Sequence, residues 1–231
     1  MSLTDENRVF VKEGLNLIRS EQRLFFKILN EKMSITTIDE ETIGFKYGPA
    51  INAIGRLDGC PSIVVEAMIS DDIGFITEIC ERMVKTNERR KELSAEHEKR
   101  AEEILSEQEE RDVIVIYDED FEEGLVGIVA GRVCEKYYKP TVVLTKHGDK
   151  LKGSARSIEG FDVKKSFDYC SEFLLGYGGH PPAGGLSLME SNLEDFISKI
   201  NEYGKEHLTE DVLKKVIEFD GVLTVSDING N

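Results

Sequence analysis

Apolar positions divide the chain into two regimes. Over residues 4–33, Leu15, Ile18, Phe25, Phe26, Ile28 and Leu29 recur at mixed three- and four-residue spacings, which predicts a helix. Thr42–Phe45 reads as a short strand-like piece, followed by a turn at Tyr47-Gly48-Pro49. A helix is expected over Ser62–Ile69, and Ser70-Asp71-Asp72 then offers N-cap side chains for a long helix from about Ile73 to about Glu110. Its first turns carry Ile76, Ile79, Cys80, Met83 and Val84, and apolar residues return at Ile104 and Leu105. Between them Lys85–Glu103 is nearly all charged, which predicts a rod polar all round that bridges two bodies through solvent, with His97 exposed on it. Arg82, Lys85, Arg89 and Arg90 are candidates to line a nucleic-acid groove; a solvated helix face is the plainer reading.

From Arg111 the period changes. Val113–Tyr117 is a continuous β-branched run, the mark of a buried strand. Leu125–Tyr138 follows as a helix ended by Pro140, then strands at Thr141–Thr145 and Leu151–Ser157. Asp162 caps a helix expected to run to about Leu175, a glycine loop follows, and Gly185–Met189 is a further strand. Asn192 opens a helix to about His207, and Lys215–Thr224 reads as a last strand-like piece before a tail, 226–231. Strands alternating with helices give an α/β domain with a largely covered sheet.

Charge narrows the function classes. The net charge is −16, spread as −8 on residues 1–110 and −8 on 111–231, which argues against a general nucleic-acid binder with a basic face. Lys139–Lys165 is the exception, with seven basic and three acidic residues. Fields fall off within about 10 Å at ordinary salt, so a local patch can hold phosphate on an acidic protein; ordinary surface lysines explain it equally well. The four cysteines are far apart with no C-x-x-C pair, which disfavours a zinc site or a disulfide framework and fits a reduced cytoplasmic setting. No stretch is long and apolar enough to span a membrane.

Two short motifs carry the chemistry. Residues 176–186 hold five glycines, two prolines and His180, and predict a tight loop with its backbone open to a partner. Glycine at Gly178 and Gly179 lets a phosphate approach the main chain, and His180 beside them can stabilise charge on a phosphodiester oxygen. Upstream, Gly153-Ser154-Ala155-Arg156-Ser157 offers two hydroxyls and a guanidinium. Alternation along a strand puts Ser154 and Arg156 on one face, and Ser157 on the other unless the strand has ended. Arg56 follows Gly55 near a helix end and either holds a terminal phosphate or pairs with Asp58. Asp118, Glu119, Asp120, Glu122 and Glu123 form an acidic run after a strand, the kind of run that is usually a solvated loop.

Gly127-Ile128-Val129-Ala130-Gly131-Arg132, Lys152-Gly153-Ser154-Ala155-Arg156-Ser157, and Tyr177-Gly178-Gly179-His180 with Ala183-Gly184-Gly185-Leu186 together resemble the DHHA1 domain of the DHH phosphoesterase superfamily. Within it, Gly48-Pro49-Ala50-Ile51-Asn52-Ala53-Ile54-Gly55-Arg56-Leu57 and the long helix are similar to the RecJ family of single-strand-specific 5′→3′ DNA exonucleases. The resemblance implies a mixed-sheet α/β domain of DHHA1 type preceded by a mostly helical segment with a long connecting helix. It divides the chain into the helical end of a catalytic core (1–72), the connecting helix (73–110), a substrate-binding domain (111–225) and the start of a link (226–231). It further implies a hydrolase of DNA repair and recombination whose Mn²⁺ or Mg²⁺ ions sit in an N-terminal Asp-His-His domain, a partner segment of the same parent protein. No Asp-His-His occurs in this sequence, so no metal or other cofactor is expected in it and the chain by itself is expected to be inactive. By the same resemblance His180 is catalytic, and Ser154, Arg156, Ser157, Gly178, Gly179, Arg56 and Asn52 bind the substrate, single-stranded DNA. Phe121-Glu122 stands where the family often has Trp-His. The alternatives are a nanoRNA or cyclic-dinucleotide phosphodiesterase of the same superfamily, or a non-catalytic nucleic-acid-binding module.

Overall fold

The computed structural model of the chain describes residues 4–20, 23–216, 219 and 221–223. A helical body comes first. The helix expected over 4–33 is two helices, α1 (Asp5–Arg19) and α2 (Leu24–Met33). The Ser20 hydroxyl donates to the Leu17 carbonyl at 2.8 Å and ends α1, and residues 20–23 offer no apolar side chain to carry the stripe across.

The strand-like reading of 42–45 is overturned. Asp39 and Thr42 form a reciprocal capping box, with Thr42 N donating to Asp39 Oδ1 at 2.8 Å. The box starts a continuous helical run: α3 (Glu40–Thr42), a π-helical turn (Ile43–Tyr47) and α4 (Gly48–Leu57). The expected turn at Tyr47-Gly48-Pro49 is therefore helix. Pro49 has no N–H, and the wider π turn just before it absorbs the missing bond. α5 (Ser62–Ile69) and the first turns of α6 (Ile73–Glu107) close the body around Phe25, Leu29, Tyr47, Ile54, Val64, Ile76 and Met83. Buried Asn30 accepts the Tyr47 hydroxyl, so this polar pair in the core is satisfied.

α6 departs from the expected solvated rod. Ile76, Cys80, Met83, Asn87, Ser94, His97 and Ala101 are all buried, and Arg90 is half-buried. Taken in order with Arg90, these positions lie four and three residues apart by turns. That is a seven-residue repeat on one helix face, continued through the charged segment by polar residues. His97, expected to be exposed, is 9% exposed.

The second body is a five-stranded sheet in the order β1-β2-β3-β5-β4, formed by β1 (Ile114–Tyr117), β2 (Thr141–His147), β3 (Lys150–Arg156), β4 (Leu174–His180) and β5 (Ala183–Met189). β1 and β2 are parallel, joined by α7 (Val126–Tyr137), and every other pairing is antiparallel. Alternate residues feed two cores. Val115, Val142, Leu144, Leu151, Ala155, Leu186 and Leu188 face α8 (Val163–Tyr169) and α9 (Leu193–His207). Ile114, Ile116 and Val143 face α7 and Ala101 of α6. α7 covers that second face only as far as β3, so the same face of β5 and β4 lies open.

The helix expected from Asp162 to Leu175 is shorter, because β4 begins at Leu174. The predicted glycine loop is instead a β-hairpin turned by Pro181-Pro182. A Cβ on Gly184 would lie 2.8 Å from Phe167 Cε2 and 2.9 Å from Val163 Cγ1; one on Gly179 would lie 2.4 Å from the Ala183 carbonyl. These glycines allow close layering rather than a free loop. No strand occurs among the described residues of 215–223, and the tail 226–231 lies outside the described residues.

Candidate nucleic-acid interface

The register across β3, β5 and β4 assembles the site. Arg156 pairs with Ala183, and Ala183 pairs with His180; Ser154 pairs with Gly185, and Gly185 with Gly178. Paired residues share a face, so Ser154, Arg156, Gly178 and His180 stand on the open face, the ends of each row roughly 10 Å apart across two strand spacings. Between them the floor is bare. A Cβ on Gly178 would meet nothing within 4 Å, and one on Gly185 would meet only a carbonyl at 3.8 Å. Packing does not require glycine at these two positions, in contrast to Gly179 and Gly184.

Arg156 is held rather than free-swinging. Its Nη1 donates to Ser154 Oγ at 3.0 Å and to its own strand's Ala155 carbonyl at 2.8 Å. α7 closes over the pair, since a Cβ on Gly127 would lie 3.1 Å from Ser154 Oγ and 3.2 Å from Arg156 Nη2. Ser157 does not join them: its hydroxyl donates to the Phe161 carbonyl at 2.8 Å and fixes the following turn. His180 is exposed at the end of β4.

A second arginine arrives from the helical body. Arg56 Nη1 donates to the Gly124 carbonyl at 2.9 Å. The alternative pairing with Asp58 does not occur, because Arg82 takes the Asp58 carboxylate and holds its pKa below the ordinary range. Asn52 lies exposed one turn before Arg56 on the same side of α4. Burial, and then the nearby Arg56 charge, push the Arg156 pKa down. Burial, and then Arg56 and Arg132, do the same to Arg90. Four guanidiniums thus feel one another. Arg132 is paired with Glu98, and no carboxylate pairs with Arg56, Arg90 or Arg156 among the described residues. Clustered, uncompensated guanidiniums on a chain of net charge −16 make a local anion site.

The basic window 139–165 contributes less than its count suggests. Lys139, Lys146, Lys152 and Lys164 are ion-paired to Glu110, Glu119 and Glu190, Glu123, and Asp168. Arg90 and Arg132 come from outside it. Sequence reading missed Arg132, Gly124 and Gly127 as parts of the site. The spacing Gly124, Gly127, Gly131 was the available signal, since small residues at helical intervals let a helix lie close to its neighbour.

Among the described residues no group of three or more His, Cys, Asp or Glu is placed to hold a metal ion. Within the acidic run Asp118 pairs with Arg100 at 2.7 Å, Glu119 with Lys146 at 3.9 Å, and Glu123 with Lys152 at 3.1 Å and His147 at 2.6 Å. Among the described residues no helix is long and apolar enough to cross a membrane.

The open sheet face with its cluster of guanidiniums belongs to a mixed-sheet α/β domain, and residues 103–206 match the DHHA1 domain. Beyond that domain, the chain is RecJ-like along nearly all of its length. It is 34% identical to the single-stranded-DNA-specific exonuclease RecJ of Bacillus subtilis (strain 168) over 98% of this chain and 29% of the relative. The crystal structure of RecJ in complex with Mg²⁺ from Thermus thermophilus superposes with a TM-score of 0.80 at 25% identity, covering 89% of this chain and 32% of that one. The Mn²⁺ complex of RecJ from the same organism gives 0.79 at 25%, covering 88% and 30%. The chain spans less than half the length of the curated relatives it matches.

Proposed function

We propose that this chain is the substrate-holding part of a metal-dependent 5′→3′ single-stranded-DNA exonuclease acting in DNA repair and recombination in the cytoplasm. The observation that carries the reading is the uncompensated cluster Arg56, Arg90 and Arg156 beside a floor of glycine. Arg156 and Ser154 hold a phosphate of the strand near its 5′ end, and Arg56 and Asn52 add contacts from the helical body. Gly178 lets the strand lie against the main chain, Gly179 serves by letting β4 close on β5 beneath it, and His180 steadies charge on the phosphodiester oxygen. Ser157 serves by fixing the turn behind Arg156. The RecJ relatives solved with Mg²⁺ and Mn²⁺ support divalent-ion chemistry in the parent protein, where such ions activate water and polarise the phosphate. Their ligands lie in a DHH domain of that protein, outside this chain, and without it the chain does not hydrolyse DNA. Exposed Val9, Phe10 and Leu17 on α1, with Val65 and Ile69 on α5, give that domain an apolar seat.

The test is a Mn²⁺-dependent exonuclease assay on 5′-phosphorylated single-stranded DNA, run on this chain alone and with the rest of the parent protein restored. Activity only after restoration supports the reading. Activity from the chain alone refutes the placement of the metal ligands, and preference for dinucleotides over long strands moves the assignment to the small-substrate relatives.

A further inference from the structure

The polar seam of α6 reaches the anion site through a short relay. His97 Nε2 accepts the Glu122 backbone N–H at 3.1 Å, and its ring packs against Phe121 with centroids 5.1 Å apart. Two residues on, Gly124 presents the carbonyl that Arg56 Nη1 grips at 2.9 Å. The contact is tight as well as polar, since a Cβ on Gly124 would lie 2.0 Å from the Arg56 carbonyl oxygen. The same loop is tied to the sheet where Thr145 Oγ1 donates to the Phe121 carbonyl at 2.6 Å. Residues 121–124 therefore form a strap between α6, the sheet and α4, and His97 is the α6 end of it.

We propose that His97 is a positioning residue for the phosphate site: its neutral imidazole holds the 121–124 strap that orients Arg56, and protonation releases that hold. This rests on the proposed function only in assigning Arg56 to a phosphate. The chemistry is specific to the acceptor. A neutral imidazole receives a backbone N–H on Nε2, whereas an imidazolium carries hydrogens on both nitrogens and turns a donor toward a donor. Burial keeps the ring below its ordinary pKa, against the pull of Glu122 on the strap, Glu96 on its own helix and Asp118 just after β1; Arg100 pairs with Asp118.

The experiment compares the whole chain with His97→Gln, His97→Phe, Arg56→Ala and the double variant of the last two. Glutamine places an uncharged acceptor where Nε2 stood; phenylalanine fills the space and accepts nothing. Affinity for a 5′-phosphorylated oligothymidylate is read by anisotropy from about pH 8 to about pH 5, and amide exchange at residues 122–125 is read without ligand. His97→Phe should weaken binding about tenfold at neutral pH, with no further loss when Arg56→Ala is added, and should speed exchange in the strap. The ratio of wild-type to His97→Gln affinity should fall with acid, a ratio from which the other histidines cancel. Additive losses, a strap whose exchange ignores His97→Phe, or a constant ratio would overturn the proposal. Failure of the wild type to bind the probe would remove the proposed function, while the exchange arm would still decide whether His97 holds the strap.

Discussion

Arg156 and His180 stand in one cross-strand row with only Ala183 between them, brought together by strand register alone. One is a permanent cation locked to Ser154 and the other is an exposed imidazole at a strand end. A phosphate bound between them would lie within reach of both.

Arg156→Ala should weaken binding of a 5′-phosphorylated single strand by about 1.5–3 kcal/mol, the value of hydrogen bonds to a charged group, and should flatten its salt dependence. Arg156→Lys should recover only part of it, because an ammonium cannot reproduce the planar fork. Equilibrium binding across a salt series checks both, and unchanged affinity in Arg156→Ala would count against the site.

Two glycines on the same hairpin should respond in opposite ways. Gly184→Ala forces a methyl to 2.8 Å from Phe167 Cε2 and should lower stability by about 1–3 kcal/mol. Gly178→Val sets its Cβ where nothing lies within 4 Å, on the open face, so the denaturant midpoint should hardly move while strand binding falls about tenfold or more. A midpoint drop in Gly178→Val would mean that its glycine serves packing after all.

His97 also links folding to pH. Its pKa is lower folded than unfolded, so as pH falls the unfolded chain takes up the proton first. Its contribution to stability is complete above about pH 6.5, declines below that, and levels off once the folded-state pKa is passed. The stability difference between wild type and His97→Gln, followed by denaturation at several pH values, should trace that decline; a flat difference would contradict it.

Ser94, in the same seam, is fully buried and its hydroxyl has no hydrogen-bond partner. Ser94→Ala removes a desolvated polar group with little change of shape and should raise stability by about 1 kcal/mol, read as a higher denaturant midpoint at unchanged slope.

The sequence was most legible where one physical signal acted alone. The β-branched runs at 113–117 and 141–145, the capped opening of α6 at Asp72, and the pairing of Ser154 with Arg156 on one strand face all follow from local pattern. Reading failed where two signals competed. The Asp39–Thr42 capping box overrode the β-branched look of 42–45, and close layering, rather than turning, demanded glycine at Gly179 and Gly184. In α6 a buried face written in Asn87, Ser94 and His97 is invisible to any test that equates burial with apolarity. The arginine cluster was half legible for the same reason. Arg156 and Arg132 each sit in a motif and Arg90 in a charged helix, but that they converge follows only from the packing of α6 against α4 and α7.

α6 runs 35 residues, about 52 Å, through both cores without interruption, and its buried face repeats every seven residues. Length and phase are therefore locked together in it. Adding one residue between Met83 and Arg90 would advance the helix by about 1.5 Å and turn everything beyond the insertion by about 100° relative to everything before it. Arg90 and His97 would no longer address the same side as Ile76. Adding seven would nearly restore the phase while opening the distance from Arg56 to Arg156 by about 10 Å. The connecting helix can therefore change length only in whole steps of the repeat, and each such step would draw the Arg56 guanidinium away from the Gly124 carbonyl that joins the two bodies.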